Sequence, residues 1–253
     1  MATNTLSYQI PHIIQPIQPT HLRLPSILQR IGDTPLLPLH HLAADLPPAV
    51  KVFVKAEWFN PGGSVKDRPA LRMIEQAILR GDLRPGMTII DATSGNTGIG
   101  YALVGAALGF PVTLVMPESV SEERKRIARA YGAEVILAPA SEGVDGAIRF
   151  VHDRVARHPD RYYHPDQYNN PDNWLAHFHS TGPEIWRQTA GRITHFVTAI
   201  GTTGTFMGVG RYLKERNPDV QLISVEPVDA ANSIEGVKHM ATSIVPGIFD
   251  PGL

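Results

Sequence analysis

A lysine follows a glycine pair in the run Asn60-Pro61-Gly62-Gly63-Ser64-Val65-Lys66-Asp67-Arg68. The glycines bend the chain, Ser64 can cap a helix, and Lys66 then falls in that helix's first turn. This is the wrong sign for a helix N-terminus, which favours anions. An amine used as a nucleophile or tied up as an imine removes the conflict, because it is then not a free cation. A surface lysine beside a turn is the plain alternative. Of the other lysines, Lys51 and Lys55 share one side of a strand, Lys125 and Lys214 lie on charged helices and read as solvated, and Lys238 lies in the C-terminal loop. None of these follows a glycine turn at a helix start.

Two further segments read as an apolar strand, a small polar glycine-rich turn, then a helix: Asp91-Ala92-Thr93-Ser94-Gly95-Asn96-Thr97-Gly98 and Gly201-Thr202-Thr203-Gly204-Thr205. At the carboxyl edge of a parallel sheet such turns meet ligands. Glycine lets backbone N–H groups approach an anion, hydroxyls add donors, and the helix N-terminus favours negative charge. Either turn alone could be no more than a tight strand-to-helix connection. Neither carries a nucleotide fingerprint: there is no G-x-x-x-x-G-K-[ST], and the Gly95, Gly98, Gly100 spacing is not G-x-G-x-x-G. Two anion cradles and a placed lysine suit a small carboxylate ligand and a phosphate-bearing cofactor.

The elements that must position these loops alternate along the chain. A short helix is expected over residues 26–31, a strand over 50–57, a helix over 69–80 stopped by Gly81, a strand over 87–92 and a helix to Leu108. Strands follow over 111–116 and 134–138. Between them lies a charged helix opened by a Ser119/Glu122 capping box. A helix over 144–157, strands over 195–200 and 220–226, and a helix to Arg216 complete the pattern. Strands alternating with helices of this length mean βαβ units and a mostly parallel sheet, an α/β fold. Residues 162–183 are polar, aromatic and punctuated by proline, which suits a crossing between domains.

At 253 residues the chain can bury a large core, as two modest domains or one large one. Its net charge of −1 gives no basic face for nucleic acid and no acidic tail. With no cysteine, disulfides, zinc–thiolate sites and cysteine nucleophiles are excluded. No apolar run reaches the length of a membrane span and no signal peptide is visible, so the expected location is the cytoplasm. Among eleven histidines the closest pairs, His40-His41 and His177-x-His179, lack helical i, i+4 spacing and carboxylate companions, so no metal is expected. Residues 1–25, with four prolines and little charge, read as an extended arm or a disordered tail.

Together, residues 60–70 (NPGGSVKDRPA), 93–98 (TSGNTG), 181–185 (TGPEI) and 201–205 (GTTGT) closely resemble, in order and spacing, the cysteine synthases. These O-acetylserine sulfhydrylases are fold-type II pyridoxal-phosphate enzymes with a tryptophan-synthase-β-like fold. GTTGT, the run Gly236-Val237-Lys238-His239-Met240 and Val245-Pro246 resemble the B-type branch. The resemblance implies two open, mostly parallel sheets with flanking helices. Residues 1–25 would be the arm, 26–59 with 170–253 the larger phosphate-binding domain, and 60–169 a smaller mobile domain carrying the substrate loop. Lys66 matches the lysine bonded to pyridoxal phosphate, which also moves the α-proton. Asn96 matches the partner of the cofactor's ring hydroxyl, and Gly201, Thr202, Thr203, Gly204 and Thr205 match its phosphate cradle. Thr93, Ser94, Gly95 and Thr97, with Gln167, match the grip on the substrate carboxylate, and Gly236 edges the mouth. Lys238 stands where some B-type enzymes use an arginine on a substrate phosphate; it keeps the charge without the bidentate fork.

The implied reaction replaces the β-substituent of O-acetylserine or O-phosphoserine by sulfur, giving L-cysteine. Cystathionine β-synthase and diaminopropionate-forming enzymes share these motifs. The resemblance also implies a homodimer and a possible serine acetyltransferase partner. Family members run on after the segment matching residues 246–253. That further part brings the Ser or Thr on the pyridine nitrogen. The expectation is therefore weakened cofactor binding, or a catalytically silent scaffold.

Overall fold

The computed structural model describes residues 24–253 apart from 94, 140–142, 230–233 and 235. Most of the arm expected over residues 1–25, and Ser94, expected in the substrate grip, lie outside the described residues.

The central layer is a four-stranded parallel sheet in the order β5-β4-β3-β6, made of β3 (Thr88–Ala92), β4 (Val112–Pro117), β5 (Glu134–Ala138) and β6 (Tyr162–Tyr163). Register runs Asp91 opposite Leu114 and Thr113 opposite Glu134. Every residue of β4 is buried, as is β3 after Thr88. Such double-sided burial is what β-branched, apolar parallel strands require. The chain moves from β3 outward through β4 to β5, then returns to place β6 on the other side of β3. The carboxyl end of β3 is therefore a topological switch point, where ligands bind in open α/β sheets.

On one face α1 (Asp67–Arg80), α2 (Asn96–Leu108) and α3 (Glu122–Ala130) enclose a core of Met73, Ile74, Ile89, Tyr101, Leu114 and Met116. On the other, α4 (Gly143–Arg157) packs Ala147 and Val151 on Ile90 and Val115. A Cβ at Gly100 would lie 2.9 Å from Ala70 Cβ and 3.2 Å from the Lys66 carbonyl oxygen. Only glycine lets α2 cross so near the backbone of Lys66.

Beyond this layer, β7 (His195–Ala199) and β8 (Gln221–Val225) pair in parallel, with α7 (Gly204–Arg216) packing Val209 and Leu213 on one side. Their other side leaves Val197, Ile223 and Val225 about half exposed. The short strands β1 (Leu36–Pro38) and β2 (Phe53–Lys55) pair antiparallel, an exception to the expected parallel pattern. The strand expected over 50–57 is only these three residues, because Glu57 turns into a short 3₁₀ segment, Glu57–Phe59. Residues 162–183, expected as a crossing, instead hold α5 (Pro171–Ala176) and a single π-turn (His177–Thr181) that runs into α6 (Gly182–Gln188). Asn170 caps α5 by accepting the Asp172 N–H at 2.9 Å, with Pro171 in the first turn where its missing donor costs nothing.

The capping box at Ser119 does not form: α3 starts at Glu122 after Ser121, with no side-chain cap. Lys125, expected in solvent, is buried and donates to the Glu118 carbonyl at 2.9 Å and to Glu122 at 2.7 Å. Among the described residues no helix is long and apolar enough to cross a membrane.

Candidate active site

Lys66 stands one residue ahead of α1 rather than in its first turn. Ser64 does not cap the helix; its hydroxyl accepts the Lys66 N–H at 3.2 Å. Asp67 occupies the first helical position, the sign the dipole favours, and accepts the Gly62 N–H at 2.5 Å. Burial raises the Asp67 carboxyl to about 6, against the pull of that N–H.

Behind Lys66 lies a buried charge cluster. Arg68 donates to both carboxylate oxygens of Glu184, at 2.7 and 2.8 Å, and to both of Glu57, at 2.7 and 2.8 Å. Lys55 Nζ reaches Glu184 at 2.6 Å and the Thr34 carbonyl at 2.5 Å. Asn60 donates to the Ser64 carbonyl at 3.1 Å and accepts the Gly32 N–H at 2.8 Å. The cluster thus ties β2, the glycine turn, α1 and α6 together two residues from Lys66.

In front of Lys66 two cavities meet. One, of about 450 Å³, is lined by Lys66, Asn96, Thr181 and all of residues 201–205. The other, of about 580 Å³, is lined by Lys66, Thr93, Gly95, Asn96, Thr97, Gln167, Gly236 and Lys238. Lys66, Asn96, Gly201, Thr202, Gly236 and Val237 border both. The structure therefore brings together every described residue that the sequence picked out. Lys66 Nζ has no hydrogen bond or ion pair with a described residue, and burial holds its ammonium below the ordinary lysine value.

Each loop is held by its neighbours. Thr97 donates to the Gln167 side-chain oxygen at 2.8 Å. Asn173 of α5 donates to the Gln167 carbonyl at 2.6 Å and to the Thr202 hydroxyl at 3.0 Å, bridging the two loops. Thr203 has a left-handed backbone (φ 68°), and its buried hydroxyl has no partner among the described residues. A Cβ on Gly201 would collide with the Gly236 carbonyl oxygen, and one on Gly204 with the Asn173 side chain. Lys238 donates its N–H to the Ile200 carbonyl at 2.9 Å and sets its ammonium 4.5 Å from the Tyr168 ring centre.

Sequence reasoning missed Asn173 and His177. His177 lies on the π-turn, with Nδ1 2.9 Å from the Thr181 hydroxyl and Nε2 3.4 Å from that of Thr205. Burial, then the Arg68 and Lys66 charges, push its imidazole well below the ordinary value, so it is neutral. The signal for both was the helix start Asn170-Pro171-Asp172-Asn173 inside a segment that reads as loop. Among the described residues no group of three or more His, Asp or Glu is placed to hold a metal ion.

A family model described as pyridoxal-phosphate dependent enzyme matches residues 27–252. The chain is 56% identical over 226 residues to a cysteine synthase of Aquifex aeolicus, covering 89% of this chain and 69% of the relative. The chain belongs to the cysteine synthase family of pyridoxal-phosphate dependent enzymes. It is also 44% identical to cysteine synthase B of Escherichia coli, over 89% of this chain and 73% of the relative. The crystal structure of cysteine synthase from Entamoeba histolytica superposes with a TM-score of 0.84 at 36% identity, covering 99% of this chain and 72% of that one.

The family's cofactor fits what the chain offers. The unpartnered Thr203 hydroxyl, the glycines kept bare by close neighbours, and the start of α7 form a donor set for a phosphate. A desolvated lysine amine borders the same cavity.

Proposed function

We propose that this protein makes L-cysteine by pyridoxal-phosphate dependent β-replacement, from O-acetyl- or O-phospho-L-serine and a sulfur nucleophile. The observation that carries the reading is a desolvated lysine without a counter-ion at the seam of two loop-lined cavities. When bound, pyridoxal phosphate supplies an electron sink for the bonding pair left at the substrate's Cα. Lys66 Nζ holds the cofactor, then takes the α-proton as general base; a lowered pKa leaves more of the amine free to do so near neutral pH. Residues 201–205 bind the phosphate and Asn96 the ring hydroxyl. Thr93, Ser94, Gly95 and Thr97 bind the substrate carboxylate with Gln167, whose side chain Thr97 already orients. Gly236 borders the mouth, and Lys238 offers a charge to the β-substituent, so that acetylated and phosphorylated serine both fit.

On this reading residues 60–169 form a smaller, mobile body around the four-stranded sheet, and 26–59 with 170–253 a larger one. Two copies pair as a cytoplasmic homodimer, with a serine acetyltransferase as docking partner.

The test is the visible spectrum after addition of pyridoxal phosphate. The intact protein gains an absorbance band that changes again on addition of O-acetylserine, and Lys66→Ala loses both. A band that persists unchanged in Lys66→Ala refutes the assignment.

A further inference from the structure

The larger cavity holds a titratable pair that the reading above does not use. Asp91, at the end of β3, and His164, just after β6, meet across the switch point with Oδ1 and Nε2 3.2 Å apart. Both line the cavity that Lys66 borders. Their side chains are 5% and 17% exposed. Asp91 is fixed from behind, because its Oδ1 also accepts the Ala92 N–H at 2.7 Å. Its other oxygen is buried and makes no hydrogen bond by distance and angle with a described residue. Asp91 engages Nε2, so Nδ1, which has no described partner, is the nitrogen left for a ligand.

We propose that His164, oriented by Asp91, is the general base that deprotonates the incoming sulfur nucleophile, so that the protein's sulfur donor is protic: hydrogen sulfide or a thiol. The inference rests on the β-replacement reading and adds to it the class of second substrate. The step balances. The S–H bond breaks and its proton goes to His164 Nδ1. The sulfur electron pair forms the C–S bond at the substrate's β-carbon, from which the acetate or phosphate has departed with the C–O bonding pair; Lys66 returns the α-proton to Cα, and the imidazolium gives its proton to solvent.

The surroundings suit that traffic. Burial disfavours the imidazolium, but the Asp91 hydrogen bond and charge, then the Asp166 charge, outweigh it and hold His164 above the ordinary histidine value. A proton taken from sulfur is therefore stabilised where it lands. The other titratable groups on this cavity wall are His152 of α4, whose ring meets that of His164 edge-on at 5.4 Å, Tyr168, Arg124 and Lys238. The two cations favour the thiolate over the thiol. A nucleophile ionised at every working pH needs no such base; an alkyl thiol does.

The experiment uses the cofactor-loaded full chain and two nucleophiles: a small alkyl thiol, protonated at pH 7, and an acidic aromatic thiol, ionised there. Each is added after O-acetylserine has produced its absorbance change. His164→Gln is expected to slow the alkyl thiol roughly 100-fold at pH 7, the low end of general-base effects. The aromatic thiolate should lose much less. In the intact protein the alkyl-thiol rate levels off above the histidine range; in His164→Gln it climbs about tenfold per pH unit with the thiolate fraction. Asp91→Asn should move the wild-type inflection down towards ordinary imidazole. Retention of the O-acetylserine absorbance change shows that the variants fold and load. Equal losses with both nucleophiles, or an alkyl-thiol profile unchanged in His164→Gln, overturn this inference alone. No absorbance change with O-acetylserine in the intact protein overturns the β-replacement reading, and this one with it.

Discussion

Replacing Glu184 by glutamine tests whether the charge cluster behind Lys66 holds the site together. Burial by itself would raise the Glu184 carboxyl. The Arg68 fork, then the Lys55 ammonium and the Asp33 N–H, overcome this and lower it from 4.5 to about 2. At ~1.4 kcal/mol per pH unit that fall corresponds to roughly 3 kcal/mol of folding stability. Lys55 ranks behind Arg68 in lowering Glu184, and its own burial outweighs its pairing and leaves its ammonium below the ordinary value. The bidentate Arg68 contact is the main source, and Arg68 is correspondingly held above its own ordinary value despite burial. A carboxyl whose folded value is depressed stabilises fully above its unfolded value, near 4.5, and loses that contribution as the pH falls towards 2. Urea denaturation should therefore show Glu184→Gln about 3 kcal/mol less stable than the parent at pH 6, with the gap about halved at pH 3. A gap that stays constant between these pH values means the loss is steric and refutes the electrostatic account. A gap below about 1 kcal/mol at pH 6 places the pair with exposed salt bridges.

Gly201→Ala puts a methyl group against the Gly236 carbonyl and forces the cradle open. At about 1–3 kcal/mol of overpacking, pyridoxal phosphate should bind about tenfold or more weakly in a fluorescence titration, and unchanged affinity contradicts the cradle assignment. Gly208→Ala, one turn beyond Gly204 on the same face of α7, drives a Cβ into the Trp174 carbonyl oxygen and places it 2.6 Å from His177 Cβ and 2.9 Å from the Phe178 nitrogen. The midpoint of thermal unfolding should drop, consistent with a cost of about 1–3 kcal/mol; a midpoint equal to the parent's means that the π-turn yields freely.

The parts of the site legible in the sequence are those built from neighbouring residues. The turns at 93–98 and 201–205 each join a strand to its own helix, so composition alone marks them. The parts that were not legible depend on contacts between distant segments. Asn173 matters because it reaches both Gln167 and Thr202, and no local pattern encodes that. Strand β1 carries a proline at its end and follows another, so a rule that keeps proline out of strands passes over it. Pro171 and Pro183 read as breaks, yet each sits in the first turn of a helix, where proline is tolerated. Lys125 was placed in solvent on the charge of α3 alone, but the Glu118 carbonyl, Glu122 and the core side of α3 bury it.

The oddity of Lys66 resolves once its neighbours are counted by where their charges go. Three carboxylates lie close in sequence or in space: Asp67, Glu57 and Glu184. Asp67 turns away to the Gly62 N–H, and the other two are engaged by Arg68 and Lys55. None reaches Lys66 Nζ. The cavities in front of it are bordered by the starts of α2 and α7, whose free N–H groups add positive potential. A protonated amine there would be buried, uncompensated and facing two helix N-termini. A neutral or covalently bonded amine meets no such penalty, and the same N–H groups are then free for the phosphate and carboxylate of the ligands. The acidic residues of the motif thus serve the lysine by being tied to other partners.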